Sequence, residues 1–166
     1  MKSSEYAAKN GLLLALALIL GYLESMLPAF FAVPGMKLGI PNIVVLYALY
    51  HRGLREAFLI NILRIIIISL LFGNGAAFIY SMAGGILSIA VMALAKEHMG
   101  LKMTGTSILG GLFHNLGQLL AAGLLLKSFS VVWYLPVLWF AGIVSGLAVG
   151  LVCGILCRKL EKAERS

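Results

Sequence analysis

LINILRIIIISLLF, residues 59–72, is apolar over a length that can cross a bilayer, except that Arg64 stands near its middle. No other residue of that run carries a charge, so whatever neutralises the guanidinium has to come from another helix. An ionisable side chain at such depth is expensive and marks a functional site by default.

The rest of the chain has the same character. Its 166 residues are 61% hydrophobic and 11% charged, with a mean hydropathy of +1.03, which leaves too little polar surface to cover a water-soluble globule. The composition predicts an all-α integral membrane protein, a single membrane domain over residues 1–166. The formal net charge of +7 does not point to nucleic acid, because the basic residues fall between apolar runs rather than along one stripe. Cys153 and Cys157, four apart on one apolar segment, read as small packing residues, and no metal-ligand spacing accompanies them. The first apolar stretch has a basic flank but is too long for a signal peptide and lacks a small-x-small cleavage site, so it is expected to stay as a helix.

Six spans are expected, at about 10–31, 40–51, 56–73, 77–95, 105–126 and 131–157. The second, at about 12 residues or roughly 18 Å as a helix, is too short to cross a hydrocarbon core of about 30 Å. The segment before it, AVPGMKLGIP, holds Pro34, Gly35, Gly39 and Pro41. A continuous helix is disfavoured there, and a loop that dips into the protein is expected, with a cavity beside it.

Charge placement orients the bundle. With the N-terminus inside, the inner connections and ends hold Lys2, Lys9, Arg52, Arg55, Lys96, Lys102, Arg158, Lys159, Lys162 and Arg165, and the outer ones only Lys37 and Lys127. That bias puts both termini in the cytoplasm. Trp133, Tyr134 and Trp139 open the last span on the opposite side, as an interfacial anchor does.

Depth along each helix then joins the scattered polar residues. Counted from the inner ends of their spans, Arg64 lies roughly 13 Å up, Asn42 and His114 roughly 15 Å, Glu24 roughly 20 Å and Gln118 roughly 21 Å. Asn61 shares a helix face with Arg64, and His114 and Asn115 each share one with Gln118. Two readings stand for this belt. Glu24 and Arg64 pair simply to hold two helices in register, or they contact a ligand. His114, Asn115 and Asn42 serve helix packing and backbone satisfaction, or they fix a ligand's polar edge. His51 and His98, at inner boundaries, read as ordinary interfacial residues.

Small residues form the other pattern. Gly142, Gly146, Gly150 and Gly154 recur every four positions in the last span, and Ala7, Gly11 and Ala15 do so in the first. Such stripes let helix backbones approach where lipid supplies no hydrophobic drive. The last-span stripe reads as helix packing or a subunit contact; the first lies where a cytoplasmic-side partner can dock. Gly84, Gly85 and Ser88 suggest a further close crossing.

Catalytic signals are absent. All six acidic residues are glutamate, only Glu24 lies in a predicted bilayer core, and there is no aspartate. A prenyl diphosphate synthase needs clustered carboxylates to hold magnesium against pyrophosphate. No P-loop, HExxH or GxSxG motif is present either, so an ATPase or hydrolase activity has to belong to another polypeptide. No catalytic residue, metal site or cofactor is expected.

VPGMKLGIPNIVVLYAL at 33–49, REAFLINILRIIIISLLFG at 55–73, SMAGGILSIAVMAL at 81–94 and GLFHNLGQLLAA at 111–122 resemble the Gx transporter family, whose members are often labelled heptaprenyl diphosphate synthase component I. That family is similar to the substrate-binding S components of energy-coupling factor (ECF) vitamin transporters, which have six helices and cytoplasmic termini. The resemblance implies that Ala7, Gly11 and Ala15 match the small-residue stripe that docks on the transmembrane coupling subunit. The S-component loop before the second helix often carries a lysine, an acidic residue and a proline; MKLGIP keeps Lys37 and Pro41 but lacks the acid.

The expected function is therefore a substrate-binding subunit of the bacterial cytoplasmic membrane, taking up a small micronutrient-like or quinone-precursor compound with energy from partner ATPases. Arg64 is the expected anion clamp, since its planar fork suits carboxylate or phosphate. His114, Asn115 and Gln118 fix the polar edge, Asn61 and Asn42 are further substrate-binding candidates, Lys37 attracts or covers the ligand, and Glu24 orients Arg64 or binds a ligand donor. Two alternatives stay open: a non-catalytic membrane subunit in prenyl diphosphate or quinone synthesis, and a scaffold of a flavin and quinone electron-transfer complex.

Overall fold

The structure is a computed structural model that describes residues 3–26 and 39–164. Among these residues it is all helical: α1 (Ser3–Met26), α2 (Asn42–His51), α3 (Leu54–Phe72), α4 (Gly75–Glu97), α5 (Met103–Leu126), a 3-10 turn (Phe129–Tyr134) and α6 (Leu135–Glu164). Four helices, α1, α4, α5 and the turn-plus-α6 segment, are long and apolar enough to cross a membrane. The outward surface is apolar, with Leu70 79%, Leu124 78% and Leu12 72% exposed. Water cannot accommodate a continuous surface of that kind, but acyl chains can. The protein is a multi-pass membrane protein.

Two helices overrun the spans expected from hydropathy. α1 begins at Ser3 rather than near residue 10, and α6 runs to Glu164 rather than stopping near 157. Hydropathy marks where lipid ends, not where a helix does. SSEYAAKN continues the first helix, supported by a Glu5–Lys9 ion pair at 2.8 Å one turn apart. RKLEKAE continues the last one on residues of high helix propensity. The last helix also starts later than expected, because residues 129–134 form a 3-10 turn and Pro136 then sits in the first turn of α6, where its missing N–H costs nothing.

α5 packs between α4 and α6, α3 packs between α1 and α4, and α2 touches α1, α3 and α6. α2 is apolar on all sides and correspondingly buried, with Val44, Val45, Leu46, Ala48 and Leu49 at 2% exposure or less. Ten residues give it a length of roughly 15 Å, and the unpaired backbone groups at its ends need partners. At its C-terminal end Lys96 Nζ donates to Leu49 O at 2.7 Å, favourable for both hydrogen bond and helix dipole. Tyr50 Oη donates to Leu101 O at 2.5 Å. α2 turns into α3 in two residues, Arg52 and Gly53. Both N–H groups donate to Ala48 O, and Gly53 sits at φ +105°, a conformation that a side chain would strain.

α5 and α6 run antiparallel along the glycine stripe. A Cβ built on Gly142 would lie 2.9 Å from Gly111 O, one on Gly146 2.6 Å from Ser107 O, and one on Gly150 2.6 Å from Thr104 Cα. Gly154 faces open space. α4 and α5 cross as closely, since a Cβ on Gly117 would meet Ala83 O at 2.7 Å and one on Gly84 would meet His114 O at the same distance. Cys153 and Cys157 are free thiols buried in the core that α2 shares with α6.

These packings gather the basic residues at one end. Arg52 Nε donates to Asn10 Oδ1 at 3.2 Å, Tyr6 Oη donates to the Glu56 carboxylate, and Lys96 reaches the end of α2, so the start of α1, the α2–α3 turn and the end of α4 lie together. Trp133, 87% exposed, lies in the 3-10 turn before α6 at the opposite end.

Candidate functional site

The polar residues of α1, α2, α3 and α5 converge on one small cavity of about 50 Å³. Arg64, Glu24, Asn42, His114 and Asn115 all line it. Arg64 is buried, and its Nη2 donates to Asn61 Oδ1 at 2.7 Å and to Asn42 Oδ1 at 3.1 Å. Asn61 precedes Arg64 by one helical turn and turns its own amide to Gly85 O at 3.1 Å across the α3–α4 contact. The guanidinium is thus held by two neutral amides from two helices. Its Nε is buried with no hydrogen-bond partner among the described residues.

Glu24 is placed differently from a simple ion-pair partner. Its Oε1 accepts from the N–H of Gly39 and, at 3.1 Å, of Ile40. These are the residues just before α2, and Gly39, at φ +75°, turns the chain into that helix. The carboxylate therefore ties α1 to the entry of α2, and no ion pair within 4.0 Å joins it to Arg64 among the described residues. Gly21, one turn earlier on α1, lets this happen, because a Cβ there would meet Ile68 at 3.1 Å and Pro41 at 3.6 Å.

On the far wall, Asn115 Nδ2 donates to Leu138 O in α6 at 2.6 Å, so α5 and α6 are cross-linked at cavity depth. His114 lines the cavity, and its backbone carbonyl lies against Gly84. Gln118 does not line it: its Cγ packs where a Cβ on Gly84 would lie at 2.9 Å. Asn61 also stays behind the wall and reaches the cavity only through Arg64. Lys37, and all but the last two residues of the 32–40 loop, lie outside the described residues.

Three hydroxyls that the sequence reading passed over complete the lining: Ser69, Ser81 and Ser145. A serine in an apolar run is a weak signal, because its hydroxyl can return to its own helix. Ser145 does so, donating to Gly142 O at 3.4 Å.

A cavity of about 50 Å³ has room for a few water-sized groups, taking ~10–15 Å³ for each. It matches a carboxylate or phosphate rather than a whole drug-sized ligand, which needs about 300 Å³ or more. Chemically it offers one fixed cation, a carboxylate, an imidazole, two amides and hydroxyls. Among the described residues no group of three or more His, Cys, Asp or Glu is placed to hold a metal ion.

Ala7, Gly11 and Ala15 stand apart from this site on the exposed face of α1, where a Cβ on Gly11 would meet nothing within 4 Å.

No curated protein and no solved structure matches the chain. The family model described as heptaprenyl diphosphate synthase component I matches residues 13–156, which takes in every residue that lines the cavity. The chain belongs to the heptaprenyl diphosphate synthase component I family.

Proposed function

We propose that the protein is a ligand-binding subunit of the cytoplasmic membrane that takes up a small compound carrying an anionic group. The observation that carries this reading is Arg64, a buried guanidinium at a polar cavity, held by Asn42 and Asn61 without a counter-ion in contact. Glu24 on the same wall offsets the charge only from a distance, and a carboxylate or phosphate entering the cavity adds a charge-assisted, forked contact to the guanidinium. His114, Asn115 and the serines orient the remainder of the ligand. The cavity fits the anionic group alone, so a larger ligand enters when the Glu24 contact to Gly39 and Ile40 opens. The basic end and the positive-inside rule support a reading in which both termini are in the cytoplasm. The resemblance to ECF S components supports capture from outside, with Ala7, Gly11 and Ala15 docking on a coupling subunit whose ATPases drive release.

A second reading is favoured by the family's description, which names a component of a synthase. On it, the chain is a non-catalytic membrane subunit that holds or presents a lipid substrate to a soluble enzyme.

Purification in mild detergent separates the two. On the uptake reading, mass spectrometry finds a small anionic compound retained by wild-type protein and lost from Arg64→Ala, with ATPase subunits co-purifying. A soluble prenyl synthase whose turnover depends on this chain, with no small anion retained, transfers the assignment to the second reading.

A further inference from the structure

A second cavity, separate from the Arg64 site, runs between α1 and α3 and has a volume of about 310 Å³. Its ends differ in chemistry. Tyr6, Asn10, Arg55 and Glu56 line one end, and Leu14 and Leu63 lie eight residues further along their helices, roughly 12 Å deeper. The groove therefore starts at the basic end of the bundle and continues as an apolar channel parallel to the helices, open beside Gly11.

The polar end carries uncompensated positive charge. Arg52 lies with its guanidinium carbon 4.8 Å above the Tyr6 ring and uses Nε for Asn10, while its Nη2 is buried with no hydrogen-bond partner among the described residues. Arg55 is exposed at the same mouth. Of the nearby acids, Glu5 pairs with Lys9, and Glu56, which accepts from the Tyr6 hydroxyl and keeps its charge, offsets one of the two arginines, so one positive charge is left in excess. A phosphate at this position meets Arg55, with Arg52 just behind Tyr6 and Asn10 adding its charge, and a hydrocarbon tail attached to it follows Leu14 and Leu63.

We propose that this groove is a binding site for an anionic phospholipid of the adjoining leaflet, with the phosphate headgroup at Arg52 and Arg55 and one acyl chain between α1 and α3. Basic pockets between membrane helices at this level take such headgroups. The site does not depend on the function of the Arg64 cavity.

Native mass spectrometry of the full chain in dodecyl maltoside, with dioleoyl-phosphatidylglycerol and dioleoyl-phosphatidylcholine at equal concentration, tests it. Wild-type protein is expected to retain the phosphatidylglycerol preferentially. Arg55→Gln, at an exposed position, is expected to lower that retention about fivefold. Gly11→Leu, which adds bulk beside the groove with no atom within 4 Å of its Cβ position, is expected to reduce retention of both lipids. Arg64→Ala is expected to leave phosphatidylglycerol retention unchanged, so failure of this site and failure of the uptake reading are told apart. Equal retention of the two lipids by wild-type protein, or undiminished phosphatidylglycerol retention in both groove variants, overturns the proposal. Displacement of phosphatidylglycerol by equimolar farnesyl diphosphate also overturns it and assigns the groove to an isoprenoid diphosphate.

Discussion

Gly146→Ala is a sharp test of how the bundle is held, because the structure fixes what the added methyl meets. Its Cβ would stand 2.6 Å from Ser107 O, 2.7 Å from Ile108 Cα and 3.0 Å from Ile108 N, where ordinary van der Waals contact begins at 3.4 Å. All three are backbone atoms, so no side chain can swing away, and α5 and α6 have to separate by the better part of an ångström. Overpacking of this kind costs about 1–3 kcal/mol, and the gain in helix propensity on replacing glycine returns at most about 1 kcal/mol. The net expectation is a loss of about 1–2 kcal/mol. Gly154→Ala provides the control, since its Cβ would meet nothing within 4 Å and only the propensity gain of up to about 1 kcal/mol remains. The two single-methyl variants should therefore differ by about 1–3 kcal/mol, with Gly146→Ala the less stable. Reversible unfolding by SDS in dodecyl maltoside micelles, followed by far-UV circular dichroism, measures the difference. If Gly146→Ala and Gly154→Ala unfold at the same SDS fraction, the α5–α6 backbone contact is not what closes this side of the bundle.

Further variants probe the site and its supports. Asn61→Ala removes the 2.7 Å hydrogen bond to Arg64 and should cost about 1.5–3 kcal/mol in the same unfolding assay, whereas an unchanged midpoint would mean that Arg64 is solvated. Glu24→Gln replaces charged by neutral acceptance from Gly39 and Ile40, a loss of about 1 kcal/mol. A Ser69→Cys probe in the cavity should then react about fivefold faster with a water-soluble maleimide, and an unaltered rate would exclude this contact as the latch. Lys96→Met strips the donor from Leu49 O at the end of buried α2 and should lower stability by about 1–2 kcal/mol, with a neutral outcome showing that another group satisfies that carbonyl. Cys153 and Cys157, buried between α2 and α6, should resist N-ethylmaleimide in the folded protein and react after SDS unfolding; fast labelling before unfolding would contradict the packing described.

Much of the helical layout could be read from hydropathy because lipid-facing helices have to be apolar throughout, and α2 could be read as short because Pro34, Gly35, Gly39 and Pro41 crowd the residues before it. Depth counting brought Arg64, Glu24, Asn42, His114 and Asn115 to one level, and these five share a cavity wall. What depth alone cannot give is rotation about a helix axis. Gln118 lies near the same level as Glu24, yet its side chain packs beside Gly84 rather than lining the cavity. Tertiary choice of partner was equally hidden: nothing in the spacing of Glu24 distinguishes an arginine from the backbone amides of Gly39 and Ile40. The helix ends at Ser3 and Glu164 were missed because polar helix formers extend a helix beyond the lipid that hydropathy measures.

The central claim is that Arg64 receives an anion inside the bundle. Thermal unfolding of wild type, Arg64→Lys and Arg64→Ala in mild detergent, each with a panel of small carboxylates and phosphates, tests it most directly. One class of anion should stabilise wild type by about 2.7 kcal/mol at a hundred times its Kd, stabilise Arg64→Lys less because the fork is lost, and leave Arg64→Ala unmoved. Equal stabilisation of all three by the same compound would contradict the claim.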